Sequence, residues 1–160
     1  MTQTKQKPKI TVIGAGRCSD ALAQQAEEVG TRIAKAGGIL ICGGLGGVME
    51  AVARGAQQAG GITIGILPVY ESQLANDYID IPIPTGLGHA RNAIVAASGD
   101  VVIAIGGEFG TLSELALALK LGKPVIGLKT WALPDESGIM KAQTAEEAVS
   151  MAFKVLEEKK

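Results

Sequence analysis

The sequence contains few aromatic residues and almost no net charge, and both shortages exclude classes of function. Aromatic side chains are 3% of the residues, and 15 Lys+Arg against 16 Asp+Glu leave a net charge of −1. Proteins that bind nucleic acid strands combine basic surfaces with exposed aromatic rings. The composition therefore predicts no nucleic acid partner, and it offers no strongly basic surface for an anionic membrane.

Cysteine is also scarce, with Cys18 and Cys42 as the two examples. Two cysteines are too few for a disulfide scaffold, and these two are too far apart for a metal pair within one loop. We therefore expect no metal site held by the protein and a reduced, cytoplasmic compartment. The N-terminus shows no basic-then-apolar leader, and no apolar run reaches the ~18 residues of a membrane span, which predicts no membrane association.

Glycine, in contrast, is abundant, with 22 of 160 residues, and it clusters where apolar runs end. These runs are short and continuous, and a longer helical pattern follows most of them. Continuous apolar strands are typical of a parallel sheet that helices cover on both faces. The pattern predicts an α/β fold: a three-layer, Rossmann-like, doubly wound and mostly parallel sheet. No linker divides the chain, so we expect a single domain over residues 1–160, with residues 1–8 as a disordered tail.

The individual elements follow from the same pattern. Strands are predicted at residues 9–14, 38–44, 62–68, 100–107 and 124–128, with residues 78–84 as an edge strand because of their prolines. Helices are predicted at residues 19–37, 48–61, 90–98, 111–123 and 144–160. Residues 69–88 and 129–140 are expected to form the longest loops.

Four glycine-rich stretches stand where ligands bind in open parallel sheets, beyond the carboxyl ends of the strands. They are GAGRCSD (14–20), GGLGGVME (43–50), GLGHARN (86–92) and GGEFGTLSE (106–114). Glycine lets the backbone approach a ligand closely, and the free N–H groups of a following helix favour an anion. The alternative is that these glycines only form tight turns. The candidate ligand-binding residues are Gly14, Gly16, Arg17, Gly43, Gly44, Gly46, His89, Asn92, Gly106, Gly107, Gly110 and Thr111.

Neither common nucleotide motif is complete. GAGRCSD has Asp20 where a dinucleotide fingerprint has its third glycine, and no Walker-type lysine follows any glycine cluster. A mononucleotide or another phosphorylated small molecule is therefore the predicted ligand.

Two charged residues are the candidate catalytic groups. Thr111 is predicted to open a helix, which would place Glu114 in its first turn. A carboxylate beside a bound phosphate is unfavourable unless a ribose, a water molecule or a developing cation requires it. Arg91 can orient this carboxylate or bind the phosphate itself. The alternatives are a Glu114 stabilised only by the helix dipole and an Arg91 on the surface.

The stretch GGEFGTLSE resembles the PGGxGTxxE signature of the LOG (LONELY GUY) family of phosphoribohydrolases. GHARNAIV stands where that family has an Arg-Lys motif, and residues 39–68 resemble its glycine-rich second strand–helix unit. The resemblance extends from Ile10 to about Leu128. It implies a phosphate site at Gly106, Gly107, Gly110 and Thr111. It also implies that Arg91 and Glu114 form a catalytic pair that cleaves the N-glycosidic bond of nucleoside 5'-monophosphates without a cofactor.

Three positions depart from the phosphoribohydrolase pattern. Ile105 replaces the signature proline, Asn92 replaces the lysine after the arginine, and Ser113 replaces an additional glutamate. These features resemble a sister branch that includes molybdenum cofactor carrier proteins, which bind a phosphorylated pterin without converting it.

The main hypothesis is therefore a LOG-like binding or carrier protein for a phosphorylated small molecule, either a nucleotide or a molybdopterin-type cofactor. The alternative is a phosphoribohydrolase that releases free base and ribose 5-phosphate, and not a lysine decarboxylase. Departures in the motif bear on catalysis more than on binding, so turnover is left open.

Association with further copies of the chain is also expected. The helical stretches NAIVAAS (92–98) and ELALALKL (114–121) are apolar and carry few charges, which indicates a face that another subunit covers. We expect a homodimer or homotetramer, and the resemblance implies a site near the interface.

Overall fold

In the computed structural model, residues 6–159 are described, and they form alternating strands and helices. The strands are β1 (Lys9–Gly14), β2 (Ile39–Cys42), β3 (Ile62–Leu67), β4 (Ile81–Pro84), β5 (Val101–Ile105), β6 (Val125–Leu128) and β7 (Met140–Ala142). The helices are α1 (Asp20–Lys35), α2 (Val48–Gln58), α3 (Asn92–Ser98), α4 (Phe109–Lys120) and α5 (Ala145–Glu158). Short 3-10 turns occupy Ser72–Leu74, Gly88–Arg91 and Asp135–Ser137.

All seven strands pair in parallel, in the order β4-β3-β2-β1-β5-β6-β7. The chain builds outward from β1 to β4, then returns to the centre and builds outward again from β5. The two central strands, β1 and β5, are in register from Ile10 with Val101 to Gly14 with Ile105. This arrangement confirms the predicted doubly wound sheet, and it places the topological switch point between β1 and β5.

Helices cover both faces of the sheet, as predicted. Helices α1, α2 and α5 pack on one face, against residues such as Val12, Leu40 and Ile103. Helices α3 and α4 pack on the other, against residues such as Ile13 and Ile41. Successive residues of β5 alternate between the two cores, and all five are fully buried. This explains why its sequence is continuously apolar.

Helices α1 and α2 approach each other closely at two glycines. A Cβ on Gly30 would collide with the Val52 carbonyl group, and a Cβ on Gly55 would collide with the Glu27 carbonyl group. Thr31 Oγ1 also donates a hydrogen bond to Gly55 O, at 3.3 Å. Both glycines are therefore required by helix packing.

The structure corrects three details of the predicted elements. Helix α4 begins at Phe109, so Thr111 is not its first residue. The three-residue strand β7 was not predicted, and it begins at Met140, the last residue of an expected loop. The predicted helix at residues 90–98 starts with a 3-10 turn and becomes α-helical at Asn92. The predicted edge strand is present as β4, whose Pro82 and Pro84 carry no N–H for further pairing.

The chain ends are only partly described. Within the expected tail, residues 1–5 lie outside the described residues, and the Pro8 carbonyl accepts a hydrogen bond from Ile39 N at 2.8 Å. Across residues 6–159, no helix combines the length and apolarity that a membrane crossing requires.

Candidate functional site

A cleft of about 120 Å³ opens at the carboxyl ends of β1 and β5, at the switch point of the sheet. Ligands of doubly wound proteins bind at this position because the loops after the two central strands diverge there. The lining residues are Gly14, Ala15, Gly16, Met49, His89, Arg91, Asn92, Glu108, Gly110, Thr111 and Glu114.

The N-terminus of α4 forms one wall of this cleft. The first hydrogen bond of the helix runs from Leu112 N to Glu108 O, at 3.0 Å, so the amides of residues 109 to 111 precede the helical ladder. None of these three amides has a hydrogen-bond acceptor among residues 6–159. Such amides and the positive end of the helix dipole favour an anion.

Thr111 supplies a buried hydroxyl to the same wall. Its residue is 2% exposed, and Thr111 Oγ1 has no hydrogen-bond partner within the described part of the chain. The N-cap residue of α4 is Glu108, without a side-chain capping bond, so the hydroxyl does not cap the helix. A buried hydroxyl without a partner is destabilising, typically by about 1–3 kcal/mol, and a ligand oxygen would satisfy it.

Arg91 reaches the cleft from the 3-10 turn before α3. It is 7% exposed, and Arg91 Nη1 donates hydrogen bonds to Asn92 Oδ1 at 3.0 Å and to Glu114 Oε1 at 3.3 Å. Arg91 Nε has no partner among residues 6–159. The alternative of a surface arginine is therefore wrong, because this guanidinium is buried and retains an unused donor.

Gly43 makes room for this guanidinium. A Cβ on Gly43 would lie 3.0 Å from both Arg91 Nη1 and Arg91 Nη2, and 2.5 Å from Met49 Sδ. Gly43 does not line the cleft, and its absent side chain instead permits the position of Arg91. The second glycine-rich stretch thus contributes to the site by leaving space for Arg91.

Burial controls the charge of Glu114. It raises the pKa of Glu114 to about 7, and the Arg91 guanidinium opposes this shift. Burial also lowers the pKa of Arg91, against the effect of Glu114. Glu114 lies in the second turn of α4, not the first, so the predicted helix-dipole explanation does not apply to it. Since its pKa is near neutrality, Glu114 can take up or release a proton at physiological pH.

Two departures from the phosphoribohydrolase pattern meet beside this pair. Asn92 Nδ2 donates a hydrogen bond to Ser113 Oγ at 3.0 Å, and Ser113 Oγ donates to Gly110 O at 2.7 Å. Asn92 also accepts from Arg91, so the chain of hydrogen bonds runs from the guanidinium to the first turn of α4. This neutral network fixes Arg91 relative to the amides of α4.

The structure brings together most, but not all, of the residues predicted for the site. Those lining the cleft are Gly14, Gly16, His89, Arg91, Asn92, Gly110, Thr111 and Glu114. Those that do not line it are Arg17, Gly43, Gly44, Gly46, Gly106 and Gly107. Arg17 is exposed at the surface.

The remaining glycines have structural roles. Gly106 N donates a hydrogen bond to Leu128 O at 3.1 Å. This amide is therefore engaged within the sheet and does not belong to the expected phosphate site. Gly44 packs against Leu67, and Gly46 lies beside the Gly16 carbonyl. Gly107 has φ +148°, a conformation that side chains disfavour, and it turns the chain into α4.

Three lining residues were not predicted for the site, namely Ala15, Met49 and Glu108. Met49 is 9% exposed, so it is largely buried while still lining the cleft. Ala15 and Glu108 lie inside two of the glycine-rich stretches, and their position there was the available signal.

Comparisons with known proteins agree with the observed fold. The model of the SLOG cluster4 family matches residues 7–158. The molybdenum cofactor binding protein of Rippkaea orientalis superposes with a TM-score of 0.90 and 40% identity, over 96% of this chain and 99% of that one. The molybdenum cofactor carrier protein of Chlamydomonas reinhardtii gives a TM-score of 0.83 and 38% identity, over 95% and 99% of the two chains.

Two relatives extend the comparison at the sequence level. A protein of Archaeoglobus fulgidus is 49% identical, over 89% of this chain and 92% of its own length. A cytokinin riboside 5'-monophosphate phosphoribohydrolase of Mycobacterium tuberculosis is 37% identical, over 69% of this chain and 64% of its own length. The family match covers nearly all of the chain, and the solved structures share its fold over almost their whole length. The chain therefore belongs to the SLOG cluster4 family, in the branch of the LOG-like superfamily that is similar to molybdenum cofactor carrier proteins.

Proposed function

We propose that this protein binds a phosphorylated small molecule, a molybdopterin-type cofactor or a nucleotide, in the cleft between β1 and β5, and acts as its carrier. The phosphate would sit at the N-terminus of α4, against Gly110 and Thr111, with Arg91 on its other side. The carrier role is supported by the two similar solved structures, which are named for molybdenum cofactor binding and carriage.

The observation that carries this proposal is the pair of unused donors in the cleft. Thr111 Oγ1 and Arg91 Nε are both buried and have no partner in the described part of the chain. Both residues line a cleft that also receives the free amides at the start of α4. An anion with several oxygen atoms would satisfy all of these groups at once.

The same residues fit the phosphate end of a molybdopterin-type cofactor. Within residues 6–159, no cluster of three or more His, Cys, Asp or Glu side chains is arranged to hold a metal ion. The donors present are N–H and hydroxyl groups, which suit phosphate oxygens. When bound, such a cofactor supplies redox chemistry to a recipient enzyme, and the residues of the cleft bind and orient it.

Purification from the native source, followed by native mass spectrometry and metal analysis, tests the proposal. We expect a phosphorylated pterin or a nucleotide to accompany the protein, or to bind after addition. A Thr111→Val variant keeps the side-chain shape and removes the hydroxyl, so it should bind the ligand more weakly than the wild type. Protein that carries no phosphorylated ligand and binds none on addition would contradict the proposal.

The second candidate function is hydrolysis of a nucleoside 5'-monophosphate to free base and ribose 5-phosphate. The buried Arg91–Glu114 pair, at 3.3 Å, favours it. In this reaction Glu114, with its pKa near neutrality, would stabilise the cationic ribose or accept a proton from the attacking water. Binding energy from the phosphate at α4 would hold the glycosidic bond in place.

A turnover assay separates the two functions. Purified protein is incubated with AMP and other monophosphates, and free base is measured by chromatography. Release of base that is lost in Glu114→Gln would establish the hydrolase. Tight binding of the same compounds without release of base would establish the carrier alone.

We also propose that the exposed face of α3 and α4 binds a second copy of the chain. Ala93, Ile94, Ala97, Leu117 and Leu121 line a shallow apolar groove on this face. Ile94 is 39% and Leu121 is 52% exposed. Since Arg91 immediately precedes α3, an interface here would lie next to the cleft.

The balanced charge and the two free cysteines support a cytoplasmic protein that does not bind nucleic acid.

A further inference from the structure

Two aromatic rings, the exposed Phe109 and the half-buried Trp131, pack together at the N-terminus of α4. The centroids of Phe109 and Trp131 are 5.7 Å apart, with an angle of 33° between the ring planes. Phe109 is 78% exposed, although the whole chain has only one Trp, two Tyr and two Phe. A large apolar ring that stays in water contributes little to folding through burial.

The local backbone fixes this pair next to the proposed phosphate position. Trp131 Nε1 donates a hydrogen bond to Glu108 O at 3.2 Å, and Glu108 lines the cleft. A Cβ on Gly107 would lie 3.0 Å from Trp131 Nε1, so the glycine leaves the indole its place. The rings are thereby attached to the same turn that presents the amides of Gly110 and Thr111.

The volume of the cleft indicates that part of the ligand must lie elsewhere. Pockets that enclose whole drug-sized ligands measure about 300–1,000 Å³. The cleft at Arg91 measures about 120 Å³, which suits a phosphate group better than a complete nucleotide or pterin. A second cavity of about 350 Å³ has Trp131, Thr130 and Lys141 among its lining residues.

We infer that the planar heteroaromatic part of the ligand stacks on the Phe109–Trp131 pair, with its edge toward the cavity at Thr130 and Lys141, while its phosphate occupies the Arg91 cleft. This inference rests on the proposed function, since it requires the phosphate at α4. Aromatic faces bind flat nitrogen-containing rings by stacking with little selectivity among them. The pair would therefore accept a purine or a pterin, whereas phosphate contacts would supply the rest of the affinity.

Trp131 is the one tryptophan of the chain, so its fluorescence reports directly on stacking. The experiment titrates the purified protein with AMP, GMP and ribose 5-phosphate, and follows both tryptophan emission and calorimetric heat. We expect AMP and GMP to quench the emission and to bind at least about 5-fold more tightly than ribose 5-phosphate. Ribose 5-phosphate should bind with little quenching.

Variants separate the ring site from the phosphate site. Phe109→Ala keeps the backbone amide of this residue and should remove the preference for AMP over ribose 5-phosphate. Leu74→Ala, at another exposed apolar residue, should keep that preference. An AMP preference that persists in Phe109→Ala overturns the inference. A change in the oligomer mass of Phe109→Ala, with the AMP preference intact, would also overturn the inference, because it would assign the rings to a subunit contact. If no phosphate compound binds the wild-type protein, the proposed function fails, and the inference fails with it.

Discussion

Asn92 and Ser113, two of the three positions at which the sequence departs from the phosphoribohydrolase pattern, are hydrogen-bonded to each other, Asn92 Nδ2 to Ser113 Oγ at 3.0 Å. The pattern has lysine at the first position and glutamate at the second. Relative to that pattern, two charged residues are exchanged for two shorter, neutral ones. Because the exchange lies beside Arg91, it removes one positive and one negative charge from the edge of the site.

This contact predicts that substitutions at the two positions are coupled. Asn92→Lys alone places a largely buried ammonium beside the Arg91 guanidinium, so we expect it to lower the free energy of unfolding by about 1–3 kcal/mol. Adding Ser113→Glu should recover about 1 kcal/mol or more of that loss. Urea unfolding of the two single variants and the double variant measures the coupling energy. Additive effects of the two substitutions would contradict it.

The Thr111 hydroxyl should favour ligand binding at the expense of stability. In Thr111→Val a methyl group replaces a buried hydroxyl that has no partner within residues 6–159, so we expect the unfolding free energy to rise by about 1 kcal/mol. The same variant should bind ribose 5-phosphate about 10-fold more weakly. Thermal unfolding and calorimetry measure the two effects. Thr111→Ser, which keeps the hydroxyl, should retain binding, and a stable, fully binding Thr111→Val would exclude a phosphate contact there.

Gly43 predicts a matched pair of glycine variants. Gly43→Ala forces its Cβ against Met49 Sδ and both terminal nitrogens of Arg91, so we expect a loss of about 1–3 kcal/mol in stability and weaker binding of ribose 5-phosphate. In Gly46→Ala the nearest atom to the new Cβ is Gly16 O at 3.4 Å, an ordinary contact. That variant should retain binding. Equal behaviour of the two variants would show that Arg91 has room to move.

The pKa of Glu114 predicts how its contribution to stability depends on pH. The folded-state pKa of about 7 lies above the usual 4.5, so the folded protein holds a proton that the unfolded chain releases. This contribution is present below pH 4.5 and is lost as the pH rises through 7. Between about pH 5 and about pH 8, Glu114→Gln should gain roughly 1–3 kcal/mol of stability relative to the wild type.

Urea unfolding of both proteins across this range measures the shift. A difference that stays constant with pH would mean that Glu114 is already ionised at the lower end, and it would contradict the raised pKa.

The apolar face of α3 and α4 predicts the site of self-association. Ile94→Glu places a charge in the groove that Leu117 and Leu121 also line, and we expect it to shift the protein to monomers. Light scattering coupled to size-exclusion chromatography measures the mass. Gln24→Glu adds the same charge at an exposed residue of α1, on the opposite face of the sheet, and should leave the mass unchanged. A monomeric wild-type protein would contradict the proposed interface.

The sequence predicted the sheet because its signal is local: each buried strand is a short, mostly apolar run, and β1, β2 and β5 end at or directly before a glycine. The missed strand β7 has only three residues, Met140–Ala142, and one of them is a lysine, so no run was visible. The start of α4 was misplaced because Phe109 and Gly110 look like the end of a turn, not the beginning of a helix.

The residues of the site could be predicted only where a sequence motif indicates their chemical role. Arg91 and Glu114 were recognised as a pair, and the structure places them in contact. The role of Gly106 depends on a hydrogen bond to Leu128, and the role of Gly43 depends on the guanidinium of Arg91. These partners are distant in the sequence, so no local pattern distinguishes a glycine that binds from a glycine that makes room.

The position of the cleft between β1 and β5 has a mechanical consequence. These strands are adjacent in the sheet, yet β2, β3 and β4 lie between them in the sequence and form one half of the sheet. An occupant that touches both Gly16 and Thr111 contacts the segments that follow the two central strands, and it therefore links the two halves of the sheet.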